Sequence, residues 1–168
     1  MLKLMPDSLP DADQRATHWD AVYEANRTDA VSWYQSEPTV SLELIDALGV
    51  DPHAAVIDVG GGASLLVDRL LTRGFTDLSV LDISESALHT SRHRAGDHVE
   101  VDWMLGDLLA WRPRRRYDLW HDRAVLHFLS DGDVDLYRTT VEQALAPGGS
   151  VVLTPSPSTV PSVARVSW

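Results

Sequence analysis

Apolar and polar positions alternate along this chain in two different rhythms, and the rhythm changes at residue 54. Before it, residues 1–15 are polar and carry Pro and Asp, the pattern of a loose arm. Trp19, Val22 and Tyr23 then fall at i, i+3, i+4, which predicts a short amphipathic helix over His18–Tyr23. Ser36-Glu37-Pro38 reads as a helix start, Leu42, Ile45 and Leu48 form its apolar stripe, and Gly49 is a plausible stop. From residue 54 short apolar runs alternate with helical patterns. Strands are predicted over Ala54–Val59, Leu78–Asp82, about Val99–Leu105, Tyr117–Asp122 and Ser150–Leu153. Helices are predicted from about Ser64 to Gly74, from a Ser84 cap to about Arg94, and from about Ser130 to the stop at Pro147-Gly148-Gly149. Strand-helix alternation of this kind predicts an α/β fold, a doubly wound, mostly parallel open sheet. Thr154–Trp168 has Pro155, Pro157 and Pro161 among serines and no period, so it reads as an irregular tail. The organisation expected is therefore one domain in three parts: residues 1–53 as arm and helices over the site, 54–153 as the α/β core, and 154–168 as the tail.

The chemistry sits where the apolar runs end. Asp58, Asp82 and Asp107 close three of them, spaced 24 and 25 residues apart. In an open parallel sheet the positions just beyond the carboxyl ends of strands converge on one crevice. Asp58 also opens the glycine turn Asp58-Val59-Gly60-Gly61-Gly62-Ala63-Ser64. Glycine allows positive φ and lets a ligand approach the backbone closely. Three acids beside such a turn suggest a ligand with hydroxyls, a base edge and positive charge. A P-loop would need Gly-Lys-Ser/Thr, which is missing. The dinucleotide fingerprint G-x-G-x-x-G would use Gly60 and Gly62, but its third glycine falls at Leu65. The plainer alternative is a structural strand-to-helix turn with solvated strand-end carboxylates.

Composition narrows the field. The 168 residues are 44% hydrophobic and 23% charged, within the range of one globular domain. A chain of this size buries roughly 70% of its unfolded surface. The net charge of −11 repels nucleic-acid phosphate, so no nucleic-acid partner is expected. No cysteine is present, which excludes disulfides and thiolate chemistry. No apolar stretch reaches the roughly 18 residues of a membrane span, and the first residues lack a signal-like apolar core. No membrane partner is expected, and a cytoplasmic location is the default. His89, His93 and His98 lack matching carboxylate spacing, so no metal is expected. The cluster Arg112-Pro113-Arg114-Arg115-Arg116 reads as a solvated loop.

Val56-Ile57-Asp58-Val59-Gly60-Gly61-Gly62, Val80-Leu81-Asp82-Ile83-Ser84, Gly106-Asp107-Leu108, Tyr117-Asp118-Leu119-Trp120 and Leu145-Ala146-Pro147-Gly148-Gly149, in this order, resemble a class I S-adenosylmethionine-dependent methyltransferase over about residues 17–153. Trp19-Asp20-x-x-Tyr23 and Ser32-Trp33-Tyr34-Gln35 resemble the branch of thiopurine and small lysine-methyltransferase-like proteins. The resemblance implies S-adenosylmethionine as cofactor, with Gly60, Gly61 and Gly62 under its methionine part and Asp58 holding the amino-acid end. It implies Asp82 on the ribose hydroxyls, Ile83 on the adenine face, Asp107 on the adenine amine and Leu108 lining the ring. Trp33 and Tyr34 are candidate lid aromatics, or simple packing of the N-terminal arm. His121 and Asp122, ending strand four, are the candidate catalytic residues on the acceptor side. The rival role for His121 is bonding to a local partner, and Arg123 is expected to pair with Asp122. The implied reaction is methyl transfer to a small-molecule nucleophile, or less readily to a protein side chain.

The resemblance fails after Leu153, where such domains continue with a helix and an antiparallel strand pair. The sequence predicts a shortened member with strand five as an exposed edge. Pairing of two copies through that edge would complete the sheet. The other functional classes left open are a cofactor-binding or interaction remnant without turnover, and a nicotinamide oxidoreductase.

Overall fold

The computed structural model describes residues 11–25, 37–96, 98–123, 125–154 and 162–165. Helices α1 (Ala12–Ala25) and α2 (Thr39–Leu48) precede the sheet. The order then runs β1 (Val56–Val59), α3 (Leu66–Thr72), β2 (Leu78–Asp82), α4 (Glu85–Ala95), β3 (Val101–Leu105), β4 (Tyr117–Arg123), α5 (Asp131–Ala144), β5 (Leu145–Thr154) and β6 (Ser162–Arg165). A 3₁₀ turn at Leu126–Phe128 follows β4. The strands lie in the order β3-β2-β1-β4-β5-β6. The first five are mutually parallel, and β6 runs antiparallel to β5. This is the doubly wound, mostly parallel sheet that the alternation predicts. The chain reverses its winding between β1 and β4, and that is where such sheets open a crevice.

Both faces of the sheet are covered, which is why β1 and β2 read as near-continuous apolar runs. On one face Val56, Leu78, Val80, Leu119 and Val152 pack with Leu42 and Ile45 of α2 and Leu66, Val67 and Leu70 of α3. On the other, Ile57, Val59, Leu81, Trp120 and Val151 pack with Tyr137, Val141 and Ala144 of α5. Local signals set the ends of several elements. Gly49 stops α2 in the left-handed region at φ 64°. The Ser84 hydroxyl accepts from the Ala87 N–H and caps α4.

Three sequence expectations need correction. The loose arm over residues 1–15 is too long, because α1 begins at Ala12, where the Asp11 carboxylate accepts from the Gln14 N–H. Strand five starts at Leu145 rather than Ser150. The chain passes from α5 directly into β5, and Pro147-Gly148-Gly149 lies in an irregular stretch where the β4 register shifts. The tail is not wholly irregular, since Ser162–Arg165 pairs with Ser150–Leu153. An uncovered β5 would leave a row of N–H and C=O groups without partners, and β6 supplies them. One antiparallel strand, rather than a pair, follows β5 among the described residues. The sheet edge on this side is therefore β6 rather than β5. The arginine cluster over residues 112–116 lies in an exposed loop, as the sequence reads, and its side chains also bond locally. Arg115 pairs with Asp77, Arg112 donates to the Trp111 carbonyl at 2.9 Å, and Arg116 donates to the Leu145 carbonyl at 2.5 Å. No described helix is long and apolar enough to cross a membrane.

Candidate functional site

Asp58 and Asp82 reach the glycine turn from adjacent parallel strands. Both are buried, at 3% and 7% exposure. Gly60 has φ 68° and follows β1 directly, so a tight left-handed step starts the turn. A Cβ on Gly61 would lie 2.5 Å from Asp58 Oδ2, and one on Gly62 would lie 2.6 Å from Asp82 Oδ2. The two glycines are thus required by the chain's own carboxylates. On Gly60 a Cβ would lie 2.2 Å from Val125 Cγ2, so the loop after β4 closes on the turn from the other side.

Asp82 Oδ1 accepts from the Ser84 N–H at 2.8 Å. Burial pushes the Asp82 carboxyl up to about 6; backbone N–H groups of Ser84 and Gly62 oppose the rise and the Asp58 charge adds to it. Ile83 follows Asp82 between β2 and the Ser84 cap. Asp107 lies two residues past β3. Its Oδ1 accepts from the Leu109 N–H at 3.0 Å, and its Oδ2 pairs with the Arg15 guanidinium of α1, with Nε at 3.2 Å. Leu108 beside it is buried. Asp20 of α1 accepts from the Ser84 hydroxyl at 2.6 Å and from the Ser86 hydroxyl at 3.2 Å. Helix α1 is therefore fastened to the loops after both β2 and β3.

His121 and Asp122 sit on opposite faces of the sheet, because successive strand residues alternate. His121 is the register partner of Asp58 across β1 and β4, and the two side chains share the α2 face. His121 is fully buried. Its Nδ1 lies 2.7 Å from Asp58 Oδ1 and its Nε2 lies 2.9 Å from Ser41 Oγ of α2. An ionised carboxylate only accepts, so Nδ1 carries the proton and donates to Asp58. Asp122 points to the α5 face and is also buried. It accepts from the Tyr137 hydroxyl at 2.6 Å and from the N–H groups of Val125 and Leu126 at 2.8 and 3.2 Å. Burial raises its carboxyl above the usual range, and the bonds from Tyr137 and Val125 oppose that rise. Tyr137 in turn accepts from the Trp120 indole N–H at 3.1 Å. Burial lowers the Arg123 guanidinium, while the Asp58 and Tyr23 charges favour its cation. Arg123 thus senses Asp58, on the neighbouring strand.

The structure brings Asp58, Gly60, Gly61, Gly62 and Asp82 together around one turn. Trp33 and Tyr34 lie outside the described residues. Ser41, Arg15 and Asp20 are site neighbours that sequence reasoning missed. Alternation along β4 was the available signal for separating His121 from Asp122. Nothing local pointed to Ser41.

The site's groups fit a polyhydroxylated, cationic cofactor: buried acceptor carboxylates at the turn and a Cβ-free cradle between them. Comparison with known proteins agrees with that chemistry. Residues 56–149 match the family described as a methyltransferase domain. Malonyl-[acyl-carrier protein] O-methyltransferase 1 of Ilyobacter polytropus is 23% identical over 104 residues, covering 58% of this chain and 39% of its own. The solved "DhpI-SAM-HEP complex" superposes with a TM-score of 0.71 at 20% identity, covering 88% of this chain and 67% of that one. Phosphoethanolamine N-methyltransferase 1 of Haemonchus contortus, solved with phosphoethanolamine and S-adenosylhomocysteine, gives a TM-score of 0.67 at 22% identity, covering 93% and 34%. The matches cover between 39% and 57% of the length of the curated relatives.

Proposed function

The chain belongs to the methyltransferase domain family, and from that premise we propose that it is an S-adenosylmethionine-dependent methyltransferase acting on a small-molecule nucleophile. The observation that carries this reading is the pair of buried carboxylates pressed against the glycine turn, each within 2.6 Å of where a side chain on that turn would begin. When bound, S-adenosylmethionine supplies an electrophilic methyl group.

The chain's own residues bind and orient. Asp58 holds the cofactor's ammonium end beside the turn of Gly60, Gly61 and Gly62. Asp82 accepts from the ribose hydroxyls, a task that needs its ionised form. Ile83 and Leu108 offer apolar surface to the adenine ring. Asp107 accepts from the adenine amine, and Arg15 shares or yields that carboxylate. Helix α1 covers this end, since its Arg15 and Asp20 grip the loops that carry the ribose and adenine contacts.

The sequence nominates His121 and Asp122 as acceptor-side groups, yet their polar atoms are engaged inside the sheet layers. We assign them to holding the site. The acceptor then arrives already nucleophilic, as a thiolate, neutral amine or carboxylate, and positioning supplies the rate. The O- and N-methyltransferase names of the relatives are in keeping with such acceptors. Calorimetric titration with S-adenosylhomocysteine tests the cofactor site, and binding below about 100 μM is expected. Absence of binding at millimolar ligand overturns the reading. Mass spectrometry of a metabolite panel incubated with protein and labelled cofactor then identifies the acceptor.

A further inference from the structure

Three residues from three elements form one buried chain. Ser41 of α2, His121 of β4 and Asp58 of β1 are exposed by 1%, 0% and 3%. The links are 2.9 Å from Ser41 Oγ to Nε2 and 2.7 Å from Nδ1 to Asp58 Oδ1. With Nδ1 directed at the carboxylate, Nε2 is left to bond the Ser41 hydroxyl. Thr154 Oγ1, at 3.5 Å from Nε2, is a second neighbour at the limit of bonding. The arrangement engages only one oxygen of Asp58. The other, Oδ2, faces Gly61.

A lone carboxylate at a strand end rotates about its terminal bond, whose torsional wells are broad. Here the imidazole fixes that rotation, and Ser41 fixes the imidazole. The ring therefore determines which lone pairs of Asp58 reach the glycine turn. Burial makes the restraint strong, because an unpaired polar group in this layer would cost the full desolvation of that group.

We propose that His121 and Ser41 are positioning residues that aim Asp58 Oδ2 at the amino-acid end of the cofactor, and so set the preference for ligands carrying that end. This rests on the cofactor reading above. It adds a role for α2, which otherwise serves as a packing helix, and a role for His121 that is neither acid-base catalysis nor simple core filling.

The test compares two probes by calorimetry on the full chain. S-Adenosylhomocysteine carries the amino-acid end; 5′-methylthioadenosine keeps the adenosine and lacks that end. His121→Leu should weaken S-adenosylhomocysteine by about tenfold to a hundredfold, as expected for a misaimed charged bond, and leave methylthioadenosine within about twofold. His121→Asn keeps an N–H donor near Nδ1 and should restore most of the preference. Ser41→Ala, which leaves the Asp58–His121 bond in place, should cost S-adenosylhomocysteine a few-fold only. If His121→Leu does not fold, His121→Asn and Ser41→Ala carry the comparison alone: the former must keep the preference for S-adenosylhomocysteine and the latter must weaken it. Equal loss for both probes, or unchanged preference in every variant, overturns the proposal while leaving the cofactor reading intact. A wild-type protein that binds neither probe overturns both.

Discussion

Two buried polar chains leave β4 in opposite directions, and they end differently. On the α2 face, Ser41, His121 and Asp58 end on a carboxylate with one oxygen still turned toward Gly61. On the α5 face, Trp120, Tyr137 and Asp122 end on a carboxylate whose oxygens are taken up by Tyr137 and by the N–H groups of Val125 and Leu126. Both chains reach the glycine turn, the first through Asp58 at Gly61 and the second through Val125 at Gly60. On the proposed reading, the first serves a ligand. The second spends its capacity on the shape of the loop. On that reading, adjacent residues of one strand support ligand contact on one face and loop construction on the other, and the Asp58 oxygen turned toward Gly61 separates the two jobs.

Replacing the two terminal carboxylates should break this comparison most sharply. Asp58→Leu is expected to weaken S-adenosylhomocysteine by about a hundredfold or more, through loss of a charge-assisted contact and of the imidazole's partner. Asp122→Leu should lower unfolding stability in urea by about 3 kcal/mol, because a buried hydroxyl and two N–H groups lose their acceptor. Methylthioadenosine affinity should separate the two, falling little in Asp58→Leu.

Acidity should act through Asp82. Its carboxyl, pushed up to about 6, must ionise before it serves the ribose hydroxyls. Cofactor affinity should therefore drop about tenfold per pH unit below about 6, with proton release on binding at pH 5–6 measurable in buffers of different ionisation enthalpy. The sign for folding is the reverse. The folded state holds this proton more tightly than the unfolded state, whose value is near 3.8. The stability contributed by Asp82 is thus present at low pH and is lost as pH rises through about 4 to 6. An affinity flat from pH 5 to 8 would remove Asp82 from the ribose contact.

Tyr137→Phe sharpens the comparison more gently. It leaves Asp122 with its two backbone donors and should cost about 1–2 kcal/mol in urea unfolding, with the ratio of the two ligand affinities unchanged. Smallest is Arg15→Ala. Freeing Asp107 from a half-buried ion pair should raise affinity for adenosine-containing ligands by about two- to fivefold. A fall instead would make Arg15 part of the ligand contact.

The fold was readable because its signals are local. Val56-Ile57-Asp58, the glycine turn and the Ser84 cap each act within a few residues, and each forms the element its sequence predicts. The corrections share a different cause. The strand β6 has a weak pattern of its own and forms because β5 offers it partners. The start of β5 hides behind Pro147-Gly148-Gly149, which reads as a stop but is accommodated by a register shift. At the site, the sequence marks Asp58, Asp82 and the glycines by position, whereas the partners of those carboxylates come from elsewhere in the chain.

By itself the sequence determined the alternation of strands and helices, the placing of three acids at strand ends and the absence of side chains in the turn between them. These follow from hydrophobic period and backbone freedom, which neighbouring residues decide. Only the tertiary structure decided that His121 faces Asp58, that Ser41 fixes His121 and that Arg15 sits on Asp107. Those contacts join residues 63, 80 and 92 positions apart. Their energies depend on which faces meet after the sheet has wound, so no local pattern could encode them.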